Sequence, residues 1–146
     1  MVDQNANSEA RLREAIELFY FAYRAFTDQP DRLLERHGLG RVHHRILYFV
    51  GRRSGLAVGD LLKTLGISKQ ALNAPLRQLL AMKLVATEEA SHDRRVRQLS
   101  LTAAGRKLES QLTGRQMVQL ESVFAAVGAD SESRWRAVMM ALSGRQ

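Results

Sequence analysis

Lys69, Gln70, Asn73 and Arg77 recur at steps of one, three and four residues, so on a helix they share one side. Gln and Asn bond adenine bidentately, Arg bonds guanine or phosphate, and Lys neutralises phosphate, so the set suits a DNA major groove. An ordinary solvated helix face has the same composition. A second group lies close by in the chain, where ASHDRRVR brings Arg94, Arg95 and Arg97 together beside Asp93. Such a basic tip suits a phosphate backbone or a narrow, electronegative minor groove. Charge of this kind also guards the edges of a hairpin, but next to the polar helix face the nucleic-acid reading is the stronger one.

Both groups need elements to hold them. Leu61, Leu62 and Leu65 mark one short apolar stripe, and Leu72, Leu76, Leu79 and Leu80 mark a second. Gly66 between them takes the positive φ that ends a helix, and Ser68 caps the next by accepting a backbone N–H bond. The two helices therefore turn sharply and pack on each other as a helix-turn-helix. Val85 and Thr87, then Leu99 and Leu101, alternate with polar residues at period two, the pattern of two half-buried strands around the basic tip. From Val58 to Thr102 the chain thus reads as a winged helix-turn-helix.

This order of elements resembles the MarR family of transcriptional regulators. ISKQALNAPLRQLLAMKLV is similar to its recognition helix and exit, Asp93 to Arg95 matches its D-x-R wing motif, and Leu101 to Gly105 matches its L-T-x-x-G. The resemblance implies that Arg95 enters the minor groove while Asp93 orients it. It implies that Ser68, Lys69, Gln70 and Asn73 meet the major groove, and that an obligate homodimer forms from the terminal helices. Two positions depart from the pattern. Ala74 stands where many relatives carry an Arg, so a contact is missing or is supplied by Arg77. Pro75 removes the bond to the carbonyl of Ala71; the helix either kinks there or begins near Asn73, and the in-phase leucine stripe favours the kink.

Charge is segregated in the way such binding requires. From Arg41 to Lys107 there are 13 Lys and Arg against 4 Asp and Glu, while the rest of the chain has 9 against 11. An excess of cations confined to the winged segment is the footprint of a protein that binds a polyanion and releases its counterions. The 146 residues, 45% of them hydrophobic, suffice for a core and exclude wholesale disorder. There is no run of about 18 apolar residues and no leader pattern, so no membrane partner and a cytoplasmic location are expected. With no cysteine, disulfides and thiolate chemistry are excluded.

The flanks carry apolar faces that the winged segment cannot cover. After a frayed tail, MVDQNAN, a helix from Ser8 places Leu12, Ile16, Phe19, Tyr23 and Phe26 on a heptad-like seam, with Tyr20, Phe21 and Ala22 on other sides. Pro30 then opens a short helix through His37, closed by Gly38. A further helix, RVHHRILYFVGRR, carries His43 and His44. After the hairpin Thr102 caps a long helix towards Val127, in which Gly114 marks close packing or a bend. Gly128 ends it, Asp130 or Ser131 caps the last helix, and Trp135, Val138, Met139 and Leu142 form its stripe. A second subunit is the natural cover for these faces. The expected division is residues 1–40 and 108–146 for dimerisation and 41–107 for DNA binding.

Adjacent histidines point about 100° apart on a helix, and without Cys or H-x-x-x-H spacing no metal site is expected. The bland reading of His43 and His44 is that one packs and one is solvated. The resemblance places their helix beside the space between the dimer and DNA-binding parts, so Tyr20, Tyr23, His43 and His44 are candidates for a small-molecule effector pocket. No phosphate loop or nucleophile elbow is present, and neither an enzyme nor a bound cofactor is expected. The sequence therefore points to a mostly α protein with a small β-hairpin wing. Its expected function is that of a homodimeric regulator, a repressor, on double-stranded DNA. An architectural DNA binder and a winged-helix protein-interaction module are the other readings that these residues leave open.

Overall fold

Leu61, Leu72, Leu76 and Leu79, the residues that mark the two short helices, meet Ile46, Leu47, Val50, Leu56, Leu99 and Leu101 in one core. Each fully buried leucine stabilises the fold by about 2 kcal/mol relative to exposure. Leu34, Leu108 and Leu112 join the same cluster from the flanking helices, and Leu39 joins it from the connection before Arg41. In the computed structural model, which describes residues 4–145, the elements in order are α1 (Gln4–Arg36), α2 (Arg41–Arg52), β1 (Leu56–Ala57), α3 (Val58–Leu65), α4 (Lys69–Ala81), β2 (Val85–Ala90), β3 (Asp93–Leu101), α5 (Ala103–Val127) and α6 (Ser131–Ser143). This is the mostly helical winged fold that the sequence predicts.

The turn between the helices follows the expected chemistry. Gly66 ends α3 with φ of 65°, and its N–H bonds the Leu62 carbonyl. Ser68 Oγ accepts from the Ala71 N–H at 3.0 Å and starts α4 at Lys69. The alternative start near Asn73 is therefore overturned, and α4 runs through Pro75 without a break in assignment. Leu72, Leu76 and Leu79 on either side of the proline are all buried, and their packing outweighs the one missing bond.

Three antiparallel strands form the wing, in the order β1–β3–β2. The sequence indicates only two. β1, with Leu56 opposite Leu99, is too short for a period-two signal. In the β2–β3 pair, Val85 opposes Leu101 and Thr87 opposes Leu99, but Thr87 is exposed while the other three are buried. The connection is also shorter than the eight-residue tip read from sequence. Only Ser91 and His92 lie between β2 and β3, and Arg94, Arg95 and Arg97 belong to β3 itself, Arg97 opposite Glu89 and the other two within the register shift that separates that pair from Ala90 and Asp93.

Further corrections concern the flanks. Met1 to Asp3 lie outside the described residues, but Gln4 to Asn7 form the first turns of α1. The helix expected to restart at Pro30 instead continues to Arg36. Pro30 gives up its bond to the Phe26 carbonyl, yet it is fully buried and shares one stripe with buried Thr27 and Leu34. That stripe holds the helix to the core across the proline. At Gly114 no heavy atom stands within 4 Å of where a Cβ would sit, so it marks no close packing within the chain, and α5 passes through it. Gly105 is the glycine that matters: a Cβ there would collide with the Leu84 carbonyl. Thr102 secures the same corner, accepting from the Gly105 N–H at 3.0 Å and donating to the Lys83 carbonyl at 2.6 Å. Asp130 occupies the cap position of α6 with φ of 69° but makes no side-chain cap bond. Ser131 Oγ instead donates to the Phe124 carbonyl at 3.1 Å.

The terminal helices leave much of their apolar surface open. Leu12, Ile16, Phe19, Tyr20 and Phe21 of α1, and Val118 and Val127 of α5, are each more than half exposed. No residue of α6 is buried.

Candidate nucleic-acid interface

α4 presents Lys69, Gln70, Asn73 and Arg77 as exposed side chains while its leucines face inward. The wing folds back towards them. A cleft of about 660 Å³ is lined by Lys69 and Asn73 of α4, by Arg95 and Arg97 of β3, and by Lys63 of α3. Residues separated by more than twenty positions in the chain thus border one groove. Ser68, Gln70, Arg77, Asp93 and Arg94 all stand outside its lining, Ser68 and Gln70 as the chain neighbours of Lys69. Lys63 is a residue that the sequence reading misses. A signal for it exists, since it lies off the leucine stripe of α3.

Arg95 is oriented by its own strand. Its backbone N–H donates to Asp93 Oδ1 at 2.9 Å, its Nε donates to the same oxygen at 3.2 Å, and its Nη2 donates to Oδ2 at 3.3 Å. The guanidinium side chain nonetheless stays 91% exposed. The Arg95 guanidinium and backbone N–H, with His92 nearby, hold the Asp93 carboxyl below its usual range. A forked cation held out from the surface is able to enter a narrow groove without first being ordered.

A second cleft, of about 350 Å³, opens between α1, α2 and α5, with Tyr23, Phe26, Arg41, His44, Tyr48 and Met117 in its walls. Of the four candidate pocket residues, Tyr23 and His44 are here and Tyr20 and His43 are not. Tyr20 instead contacts Phe21 edge-on at 5.4 Å and lies beneath the Arg24 guanidinium. Arg45 donates to the Tyr23 hydroxyl at 2.8 Å, and Arg41 donates from both Nε and Nη2 to Asp31 Oδ2, at 3.0 and 2.9 Å. Thr113 donates its hydrogen to Glu109 at 3.2 Å and is left to accept from His44 Nε2 at 3.3 Å. Burial lowers the His44 pKa; Asp31 opposes that shift and Arg45 adds to it. Among the described residues no three His, Cys, Asp or Glu side chains gather as a metal site, and no helix is long and apolar enough to cross a membrane.

A family model described as MarR family matches residues 37–96. The chain is 40% identical over 135 residues to the HTH-type transcriptional regulator PetP of Rhodobacter capsulatus, spanning 92% of this chain and 81% of that protein. Among solved structures, the MarR family transcription regulator SP03579 superposes with a TM-score of 0.80 at 17% identity, covering 97% of this chain and 93% of its own. A point mutant of MepR from S. aureus, bound to an oligodeoxyribonucleotide, superposes with a TM-score of 0.62 at 19% identity and coverage of 89% and 96%. At these identities the structures bear on the fold alone.

Proposed function

The chain belongs to the MarR family of transcriptional regulators, and from that premise we propose that it acts in the cytoplasm as a homodimeric repressor on a pseudo-palindromic operator. In this reading Ser68, Lys69, Gln70 and Asn73 meet base edges and phosphates of the major groove. Arg77 adds a phosphate contact, and Arg94, Arg95 and Arg97 follow the backbone into the adjoining minor groove. The observation that carries it is the single groove bordered by Lys69 and Asn73 from α4 and by Arg95 and Arg97 from β3. A duplex lying there meets the helix and the wing at once, and residues 41–107 form the DNA-reading part.

Residues 1–40 and 108–146 supply the dimer contact, because their open apolar faces need a cover of the same length and character. The cleft beside Arg45 and His44 suits a small aromatic anion, with apolar walls for the ring and the Arg45 guanidinium for the charge. Such an effector acts by binding one spacing of the two recognition helices better than the other.

Footprinting on a fragment bound by the protein tests the proposal. Two protected half-sites with centres about 34–36 Å apart, or a multiple of that, are expected of a two-fold dimer. A single protected patch on one half-site would refute the dimeric reading.

A further inference from the structure

α4 packs on α2 through leucines, whose interdigitation sets a preferred crossing angle with a scatter of about 15–20°. One side chain adds a polar constraint within that range. Gln78 Oε1 lies 2.9 Å from His43 Nε2 on α2, and its Nε2 donates to the Gly38 carbonyl at 3.2 Å in the corner between α1 and α2. Both ends of the amide are therefore used. Among the described residues, no other α4 side chain makes a hydrogen bond or ion pair to another element.

The polarity of this contact is internally consistent. His43 Nδ1 accepts the Gly40 N–H at 2.9 Å, at the start of α2, so the neutral ring carries its proton on Nε2. Nε2 then donates to Gln78 Oε1, which leaves the amide NH₂ facing the Gly38 carbonyl. A reversed amide would set two donors and two acceptors against each other.

We propose that Gln78 is a positioning residue for DNA reading, held by His43 and the Gly38 carbonyl so that the N-terminal half of α4 meets the groove at one angle. The inference rests on the DNA-reading role proposed above. Lys69 lies nine residues along the helix, about 14 Å from Gln78 at 1.5 Å per residue. A tilt of about 10° at Gln78 shifts that end by about 2 Å, beyond the range over which a base-edge hydrogen bond survives. Loss of the anchor therefore costs sequence discrimination before it costs general affinity.

The test compares the parent protein with Q78M, which keeps side-chain length, with H43A, and with the double variant. Each is titrated with a duplex that the parent selects from genomic fragments and with a scrambled duplex of equal length, and each is melted in parallel. The expected result for Q78M is a fall of about five- to tenfold in the preference for the selected duplex. Scrambled-duplex affinity, salt slope and melting midpoint stay at parental values. H43A, which leaves the bond to the Gly38 carbonyl in place, gives a fall no larger than that of Q78M, and the double variant is no worse than Q78M alone. A preference within twofold of the parent for Q78M overturns the proposal. So does an equal loss on both duplexes with a shallower salt slope, which would make Gln78 a backbone contact, and so do additive losses in the double variant. A parent that prefers neither duplex overturns the DNA-reading role on which the inference rests.

Discussion

Asp93 and Arg95, two positions apart on β3, are joined by three hydrogen bonds that leave the guanidinium almost wholly in solvent. An exposed ion pair adds little to folding, so the benefit of this one lies in the direction of the cation. Arg95→Ala is expected to weaken DNA binding about tenfold or more at fixed salt, with unchanged thermal unfolding. Asp93→Ala, which frees the cation without removing it, costs less. Because the Asp93 carboxyl is held below its usual range, the pair persists in mild acid and is lost only as pH falls through that lowered value. Equal affinity for parent and Arg95→Ala, by fluorescence anisotropy, would remove the wing from the mechanism.

The major-groove face separates into two kinds of contact. Gln70→Ala and Asn73→Ala are expected to change which sequences are preferred, by about 1–3 kcal/mol at the position each reads. Arg77→Ala is expected to lower affinity on every sequence and reduce the salt slope by about one. Titrations over a panel of single-base variants at several salt concentrations distinguish them. Uniform losses for all three would contradict the division.

Gly105 is fixed by the approach of the Leu84 carbonyl. Gly105→Ala is expected to push the start of α5 off the wing and destabilise the fold by about 2–3 kcal/mol. The urea midpoint reports it, and a change under about 0.5 kcal/mol would show that the corner yields freely.

His44 gives stability a dependence on pH. Its pKa is lowered from 6.5 chiefly by burial, so on acidification the unfolded ring takes up a proton while the folded ring resists. The contribution is complete above the ordinary histidine value and is lost as pH falls towards the lowered one. On acidification from neutral pH the parent is therefore expected to lose more stability than His44→Gln. Parallel pH profiles for the two would contradict this.

The parts of the molecule built on short-range pattern were legible in the sequence. The leucine stripes, Gly66 and the Ser68 and Thr102 caps state their own geometry within a few residues, and α3, α4 and α5 follow from them. What escaped depended on contacts distant in sequence. Pro30 reads as a helix start until its burial beside Thr27 and Leu34 is known, and β1 is a strand only because Leu99 lies opposite Leu56. The basic tip could be counted from sequence but not assigned to β3 rather than a loop. In the same way the types of Lys69, Asn73, Arg95 and Arg97 gave the chemistry, whereas their shared cleft, and the place of Lys63 in it, is a product of the fold.

The most direct test of the account is selection of bound fragments from the source genome at two salt concentrations. A homodimeric, sequence-reading regulator predicts enrichment of one inverted repeat at both, with weaker binding at the higher salt. Salt-sensitive recovery of all fragments alike would contradict it in favour of an architectural role, and recovery of none would contradict DNA binding itself.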